Sequence, residues 1–325
     1  MAKLIVSASP HFQSPNTTRV LMNDVLIALA PATIVSLLFY GWNALLLLAV
    51  SVATCILCEF IIEKYLRGRN IPSISATVIT GVLLALNLPP AAPWWIAVIG
   101  SIAAIGIAKM CFGGLGQNIF NPAIFGRVFL LVSFPVIMTS WAAPAGWLAI
   151  DAFSGATPLA QINEGLHQGI PASEIIANGN YTSWQALFGA AGGSVGEASA
   201  LALLVGFVYL LVRRTIKPHI PLSILGTVAV LTTIFWLINP DKFTGPVFNL
   251  LSGGLLLGAI FMATDYVTSP MTNVGMIIYG VLIGLVTVLI RYFGSYPEGV
   301  SFAILLANMT VPLLNKYCKP KRFAA

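Results

Sequence analysis

The sequence predicts an all-α polytopic membrane protein of about ten transmembrane helices, arranged as two five-helix halves. Three observations carry this. Of 325 residues 58% are hydrophobic and only 8% are charged, against about 25% charged in a soluble domain, so the chain cannot cover a water-facing surface. The apolar runs are long and continuous and do not alternate, which argues for helices rather than a barrel. Positive charges collect at both ends of the chain, after the second and sixth runs and around the junction of the fourth and fifth, the pattern of cytoplasmic loops.

The elements follow in order. Residues 1–19 are mixed and polar with Pro10 and Pro15, and read as a cytoplasmic N-terminal segment rather than a cleaved signal. The first membrane half covers 20–141, with runs at Val20–Tyr40, Ala44–Ile62, Ile74–Leu88 (stopped by Pro89-Pro90), Trp94–Phe112 and Pro122–Trp141. Residues 142–184 form the only long non-hydrophobic stretch. The second half covers 185–317, with runs at Ser194–Val212, Pro221–Ile238, Asn249–Tyr266, Val274–Arg291 and Gly299–Tyr317. A basic tail, 318–325, closes the chain.

Lys3, Arg19, Lys64, Arg67, Arg69, Lys109, Arg127, Arg213, Arg214, Lys217 and the basic residues from Lys316 onward fall on one side of a ten-span chain; Lys242 and Arg291 are the exceptions. Both termini are therefore expected in the cytoplasm and 142–184 outside it. The net charge of +6 belongs to this topology, and no nucleic-acid partner is expected. Gly81–Asn87 before Pro89-Pro90 and Gly253–Gly258 before Asp265 and Pro270 form a weak internal repeat. Two readings are open: an inverted repeat whose broken helices meet near the midplane, or chance likeness of Gly- and Leu-rich helices.

The candidate chemistry is sparse. Cys55 and Cys58 lie inside an apolar run, and Cys111 and Cys318 stand alone, so neither a disulfide framework nor an iron–sulfur cluster held by this chain is expected. His11, His167 and His219 have no metal-ligand spacing, and no dinucleotide fingerprint is present. Asp151-Ala152-Phe153-Ser154-Gly155-Ala156-Thr157-Pro158-Leu159 surrounds one hydroxyl, Thr157, with small residues and no adjoining base. Gly113-Gly114-Leu115-Gly116-Gln117-Asn118-Ile119-Phe120-Asn121-Pro122 joins three glycines to the amides of Gln117, Asn118 and Asn121, which suit a hydrogen-bonding ring; Asn121 also suits the cap of a helix opening at Pro122. Asp265, in Phe261-Met262-Ala263-Thr264-Asp265, either faces a partner, water or an ion at membrane depth or caps the turn before Pro270. Glu59 and Glu63 either face a cation path or lie at the interface beside Lys64 or Arg67. Ser194-Val195-Gly196-Glu197 reads as a capping box or as an anion site at a helix start. Tyr296-Pro297-Glu298-Gly299 reads as a structural turn.

The Ser154–Thr157 stretch resembles the site at which the RnfD and NqrB family of membrane electron-transfer subunits carries flavin mononucleotide (FMN), esterified through its phosphate to threonine. The Gly113–Pro122 run, the Phe-Met-Ala-Thr-Asp run and the N-terminal Ser-Pro-His at Ser9–His11 are similar to the same family, in the same order. The resemblance implies that Thr157 is a tether, with Asp151, Ser154, Gly155 and Ala156 beside it, and that no residue here is catalytic by itself. It implies a second, non-covalent flavin (riboflavin or FMN) among the helices, with Gln117, Asn118 and Asn121 as the amides to bind it, and a cation path through Asp265 and Glu59. It further implies one subunit of a bacterial inner-membrane complex that passes electrons between ferredoxin and NAD while moving Na⁺ or H⁺. The expected partners are the other subunits of an Rnf-type complex, among them a second covalent flavoprotein and iron–sulfur subunits. The competing class is a channel or secondary transporter with inverted repeats and no redox cofactor.

Overall fold

A computed structural model describes residues 17–68, 74–141, 157–167, 170–171, 174–175, 187, 193–294, 296 and 298–319. Among these there is no strand, and the protein is an all-helical polytopic membrane protein. Asp151, Ser154, Gly155, Ala156 and Ser9–His11 lie outside the described residues.

The first two expected spans are both present, as two helices that meet at Gly41 within α1 (Thr18–Ile61), continued by a π turn at Ile62–Leu66. The chain folds at a single residue, Gly41, whose φ of 60° and ψ of −135° only glycine adopts cheaply. Then come α2 (Ile74–Leu86), α3 (Trp94–Ile102) with a π extension at Ala103–Met110, and α4 (Pro122–Ser133). The expected fifth span stops at Ser133, because Pro135 removes a donor and opens a separate short turn, α5 (Pro135–Met138). Helix α6 (Pro158–His167) follows Thr157. The sixth span starts later than expected, as α7 (Ala200–Val212), and α8 is His219–Ile238.

The expected continuous span Asn249–Tyr266 is broken. Helix α9 (Pro246–Leu251) ends at Ser252, Gly253 and Gly254 adopt positive φ (72° and 64°), and α10 (Leu255–Leu257) passes into a π turn at Gly258–Met262. Helices α11 (Asn273–Phe293) and α12 (Val300–Tyr317) complete the chain.

Among the described residues, only Thr18–Leu66, α8 and α11 are long and apolar enough to cross a bilayer; α2, α4 and α7 are short. A helix of 13 residues such as α2 spans about 20 Å at 1.5 Å per residue, against a hydrocarbon core of about 30 Å. From Ala76 to Leu86 all but one residue of α2 is buried, so its all-round apolar composition reflects enclosure by protein. Leu38, Leu57, Val212, Leu237 and Ile238 are exposed, whereas Asp24, Glu59, Lys109, Arg127, Asn249 and Arg291 are buried. Apolar outside and polar inside is the arrangement a lipid solvent selects.

Small residues bring the helices together. A Cβ on Gly280 or Gly284 would collide with Ser223 or Thr227 of α8, and one on Gly81 would stand 2.7 Å from the backbone of Val52. Helix α1 packs on α3, where Ser51 meets Ser101, and α8 packs on α11. The first part of α1 meets α7, and α4 meets α12, across the halves. The two broken elements touch: Asn87, just after α2, donates to Met262 Sδ at 3.5 Å.

Candidate functional site

Chemistry collects in two places. The first is a cleft where the first part of α1, α2, α4, α7 and the α10 turn converge. Its walls are mostly apolar (Val25, Ile79, Leu83, Phe261), with Lys109, Asn118, Asn121 and Asp265 as the polar groups.

Helix starts and turns position these groups. Asn121 caps α4: its Oδ1 accepts from Ala123 N at 3.0 Å and Ile124 N at 3.4 Å. Its Nδ2 donates to Met262 O at 3.0 Å, tying α4 to the broken element of the other half. Asn118 is buried, and its Nδ2 donates to Phe120 O at 3.0 Å. Gln117 is exposed and does not line the cavity; its side chain folds back onto Gly113, where a Cβ would collide with Gln117 Oε1. Asp265 lines the cavity and accepts from Thr268 Oγ1 at 3.1 Å, with Asn118 and Lys109 beside it. Turn cap and cavity wall are thus the same carboxylate.

Glu59 corrects the interfacial reading. It is 1% exposed, its Oε2 accepts from Lys109 Nζ at 2.6 Å and from the Thr77 hydroxyl, and its Oε1 has no partner. Lys109 also donates to Thr77 Oγ1 at 3.3 Å. Only Glu63 pairs as expected, with Arg67 at 3.3 Å. The arrangement offers a free carboxylate oxygen behind a lysine on the cavity wall. No cluster of three or more His, Cys, Asp or Glu with metal-site geometry occurs among the described residues.

The second place is near Thr157. The threonine is 3% exposed and caps α6, its Oγ1 accepting from Ala160 N at 3.2 Å. A phosphate ester on this oxygen would sit at a helix N-terminus, where free N–H groups and the dipole favour negative charge. Leu159 of α6 packs onto Gly253, at the break between α9 and α10. There Arg291 donates to Asn249 O at 2.6 Å, Ser252 O at 2.8 Å and Gly253 O at 3.2 Å.

Between the two places runs a buried charged seam. Arg127 pairs with Glu298 and donates to Asn87 Oδ1 at 2.7 Å. Glu197 accepts from Ser194 Oγ at 2.6 Å. The expected capping box is not formed. Ser194 spends its hydroxyl on the carboxylate, and Ser199 caps α7 by accepting from Ala202 N. The reason is spacing: Val195–Glu197 is a 3₁₀ turn, so the helix proper opens five residues later. Lys109 and Arg127, which the topology argument counts as loop charges, are buried inside the protein, as is Arg291. Glu298 is no turn ornament. A charge five residues into an apolar helix, as Arg127 is, was the available signal for this seam.

The sequence profile of the NQR2, RnfD, RnfE family matches residues 5–324. The chain is 40% identical to the D-type subunit of the "ion-translocating oxidoreductase complex" of Cronobacter sakazakii, with 97% of each chain covered. It is 42% identical to the protein of the same name from Stutzerimonas stutzeri, over 93% of this chain and 91% of the relative. It is also 42% identical to the D-type subunit of the "Na(+)-translocating ferredoxin:NAD(+) oxidoreductase complex" of Acetobacterium woodii, over 98% of this chain and 94% of the relative.

Proposed function

Because the chain belongs to the NQR2, RnfD, RnfE family, we propose that it is the D-type membrane subunit of an Rnf-type complex in the bacterial cytoplasmic membrane, a redox-driven ion translocase. The complex passes electrons between ferredoxin and NAD and moves Na⁺ or H⁺. The observation that carries this is full-length identity of 40–42% to subunits so named. Other subunits, including a second covalent flavoprotein and iron–sulfur proteins, supply the ferredoxin and NAD sites that this chain lacks.

Thr157 tethers FMN through a phosphate ester, and the cleft between α2, α4 and α7 takes a second, non-covalent flavin. The residues suit both groups. Asn118, Asn121 and Asp265 are the polar groups of that cleft and Phe261, Ile79 and Leu83 part of its apolar wall, and the N-terminus of α6 favours the ester. When bound, the flavins supply one- and two-electron transfer, while the protein places them and shuts out water. The chain's own residues then act on the ion. Asp265 and the unpartnered Glu59 Oε1 supply carboxylate oxygens beside the cavity, and Lys109 holds Glu59 in place and competes with a cation for it. A change of charge in the cavity shifts that competition, which is how electron transfer would bias ion affinity.

Both termini lie in the cytoplasm and the Thr157 segment outside it. Lys109, Arg127 and Arg291 are buried and leave the topology count. Among the described residues, the exposed cations Arg19, Lys64, Arg213, Arg214, Lys217, Lys316 and Lys319 belong to the ends and alternate loops of a ten-span chain, against Lys242 alone on the other set, which supports this orientation.

The test is a denaturing gel of the complex made in cells able to attach flavin. Fluorescence should travel with the wild-type chain and vanish in Thr157→Ala. A dark wild-type band would instead favour a channel or transporter without a redox cofactor.

A further inference from the structure

Where the loop between α7 and α8 meets the start of α11, a cleft of ≈ 440 Å³ opens. Two cations of that loop, Arg214 and Lys217, line it. Arg214 is the one described residue other than glycine with a positive φ, 55°. A Cβ makes that conformation costly, and glycine would build the same turn more cheaply. Strain of this kind points to a use for the side chain. Arg214 is exposed and has no carboxylate partner among the described residues: Asp24 pairs with Arg213 at 3.4 Å, and Asp265 accepts from Thr268 at 3.1 Å. Lys217 reaches only a neutral amide, Asn273 Oδ1 at 3.0 Å. Leu21 of α1, Ile220 of α8 and Met276 of α11 form an apolar wall to the same cleft. Tyr266 donates to Thr215 O and holds the loop against the turn that follows α10. Met271, also on the wall, is 81% exposed, and Val212 and Val274 in the flanking chain are exposed as well.

We propose that this cleft binds an anionic phospholipid, with the phosphate between Arg214 and Lys217 and an acyl chain along Leu21, Ile220 and Met276. Charge selects the phosphate, because the two cations bring no anion of their own. Place selects the lipid. The loop joins two membrane helices, so its cations stand at the level of the headgroups, where basic pockets between transmembrane helices take anionic lipids. A soluble phosphate would leave the apolar wall wet. An acidic segment of a partner protein would bring N–H and C=O groups that this wall cannot satisfy, whereas an acyl chain needs no hydrogen bonds. The site requires neither flavin nor the electron path, so it stands or falls separately from the function proposed above.

The experiment uses the purified complex in nanodiscs of phosphatidylcholine with a trace of phosphatidylglycerol carrying a diazirine in one acyl chain. After illumination, labelled peptides are mapped by mass spectrometry. Label should fall on the segments around Leu21, Ile220 and Met276. Unlabelled phosphatidylglycerol, added as a minor component, should displace it, and glycerol 1-phosphate should not. Arg214→Gly removes a charge and relieves the positive φ, so this variant should assemble and melt no lower than wild type. Arg214→Gly and Lys217→Gln should each cut the label in the cleft roughly fivefold, the factor that one interfacial cation supplies, and leave label elsewhere unchanged. Label that survives both substitutions together, or that unlabelled phosphatidylglycerol does not displace, overturns the anionic-lipid site. Displacement by glycerol 1-phosphate makes it a site for soluble phosphate and overturns the lipid. An unlabelled cleft in the intact complex means that another subunit covers it, and overturns the proposal too.

Discussion

Replacing Lys109 by methionine strands the Glu59 carboxylate. In the native protein Lys109 and Glu59 have side chains 3% and 1% exposed, 2.6 Å apart. One carboxylate oxygen already lacks a partner, and the other would keep only the Thr77 hydroxyl. Methionine matches the lysine stem in length, so little packing is lost and the electrostatic effect dominates. Removing one member of a buried pair costs about 3–5 kcal/mol. Replacing both members with neutral isosteres, Glu59→Gln with Lys109→Met, should cost within about 1 kcal/mol of nothing, since no unpaired charge remains. Adding Glu59→Gln to Lys109→Met should therefore recover roughly 2–4 kcal/mol of the stability lost by the single variant. At roughly 2 °C per kcal/mol for a large chain, the single variant should melt about 6–10 °C lower and the double close to wild type. Tryptophan fluorescence in detergent at one scan rate measures this. A single variant melting within about 2 °C of wild type, or a double as unstable as the single, would refute a buried, mutually dependent pair.

Four further outcomes are expected. Asp265→Ala in reconstituted complex should abolish Na⁺ or H⁺ uptake while ferredoxin-dependent NAD reduction continues; unchanged pumping removes Asp265 from the path. Asn118→Leu should deplete the flavin released by acid extraction and leave the fluorescent band at Thr157 intact. Gly284→Leu puts a Cβ 2.8 Å from Thr227 Cβ and should destabilise the α8–α11 pair by about 1–3 kcal/mol, while Gly226→Leu, with nothing within 4 Å, should be silent by size-exclusion chromatography. Gly254→Ala imposes a side chain at φ +64° and 3.0 Å from Glu197 Oε1; it should cost about 1–2 kcal/mol in thermal melting, and Gly245→Ala, with open space around it, should cost much less.

Long helices such as α8 and α11 were legible because the bilayer demands unbroken apolar length, which is a one-dimensional property. The Asn121-Pro122 cap was legible for a similar reason: the cap and the N–H groups it satisfies are within three residues of each other. The break at Gly253-Gly254 was one of two open readings of the glycine-rich repeat, since hydropathy sees Asn249–Tyr266 as one run and does not register that Arg291, on another helix, takes up the carbonyls the break exposes. Glu197 followed a local rule, Ser-x-x-Glu, that a 3₁₀ turn set aside. Lys109, Arg127 and Arg291 read as boundary charges because a linear window cannot tell an interfacial cation from one whose counter-ion or carbonyl partners arrive from another helix.

The amino-acid sequence by itself therefore determined the all-helical membrane class, most of the spans and the family to which the motifs belong. Each of these depends on composition or on neighbours within a few positions. Only the tertiary structure decided that Asn118, Asn121, Asp265 and Lys109 share one cavity, and that Gln117 does not. It alone joined Glu59 to Lys109 across 50 residues and Arg127 to Glu298 across 171. Buried charges are tolerated only where distant segments converge to satisfy them, and convergence is a property of packing, not of order along the chain.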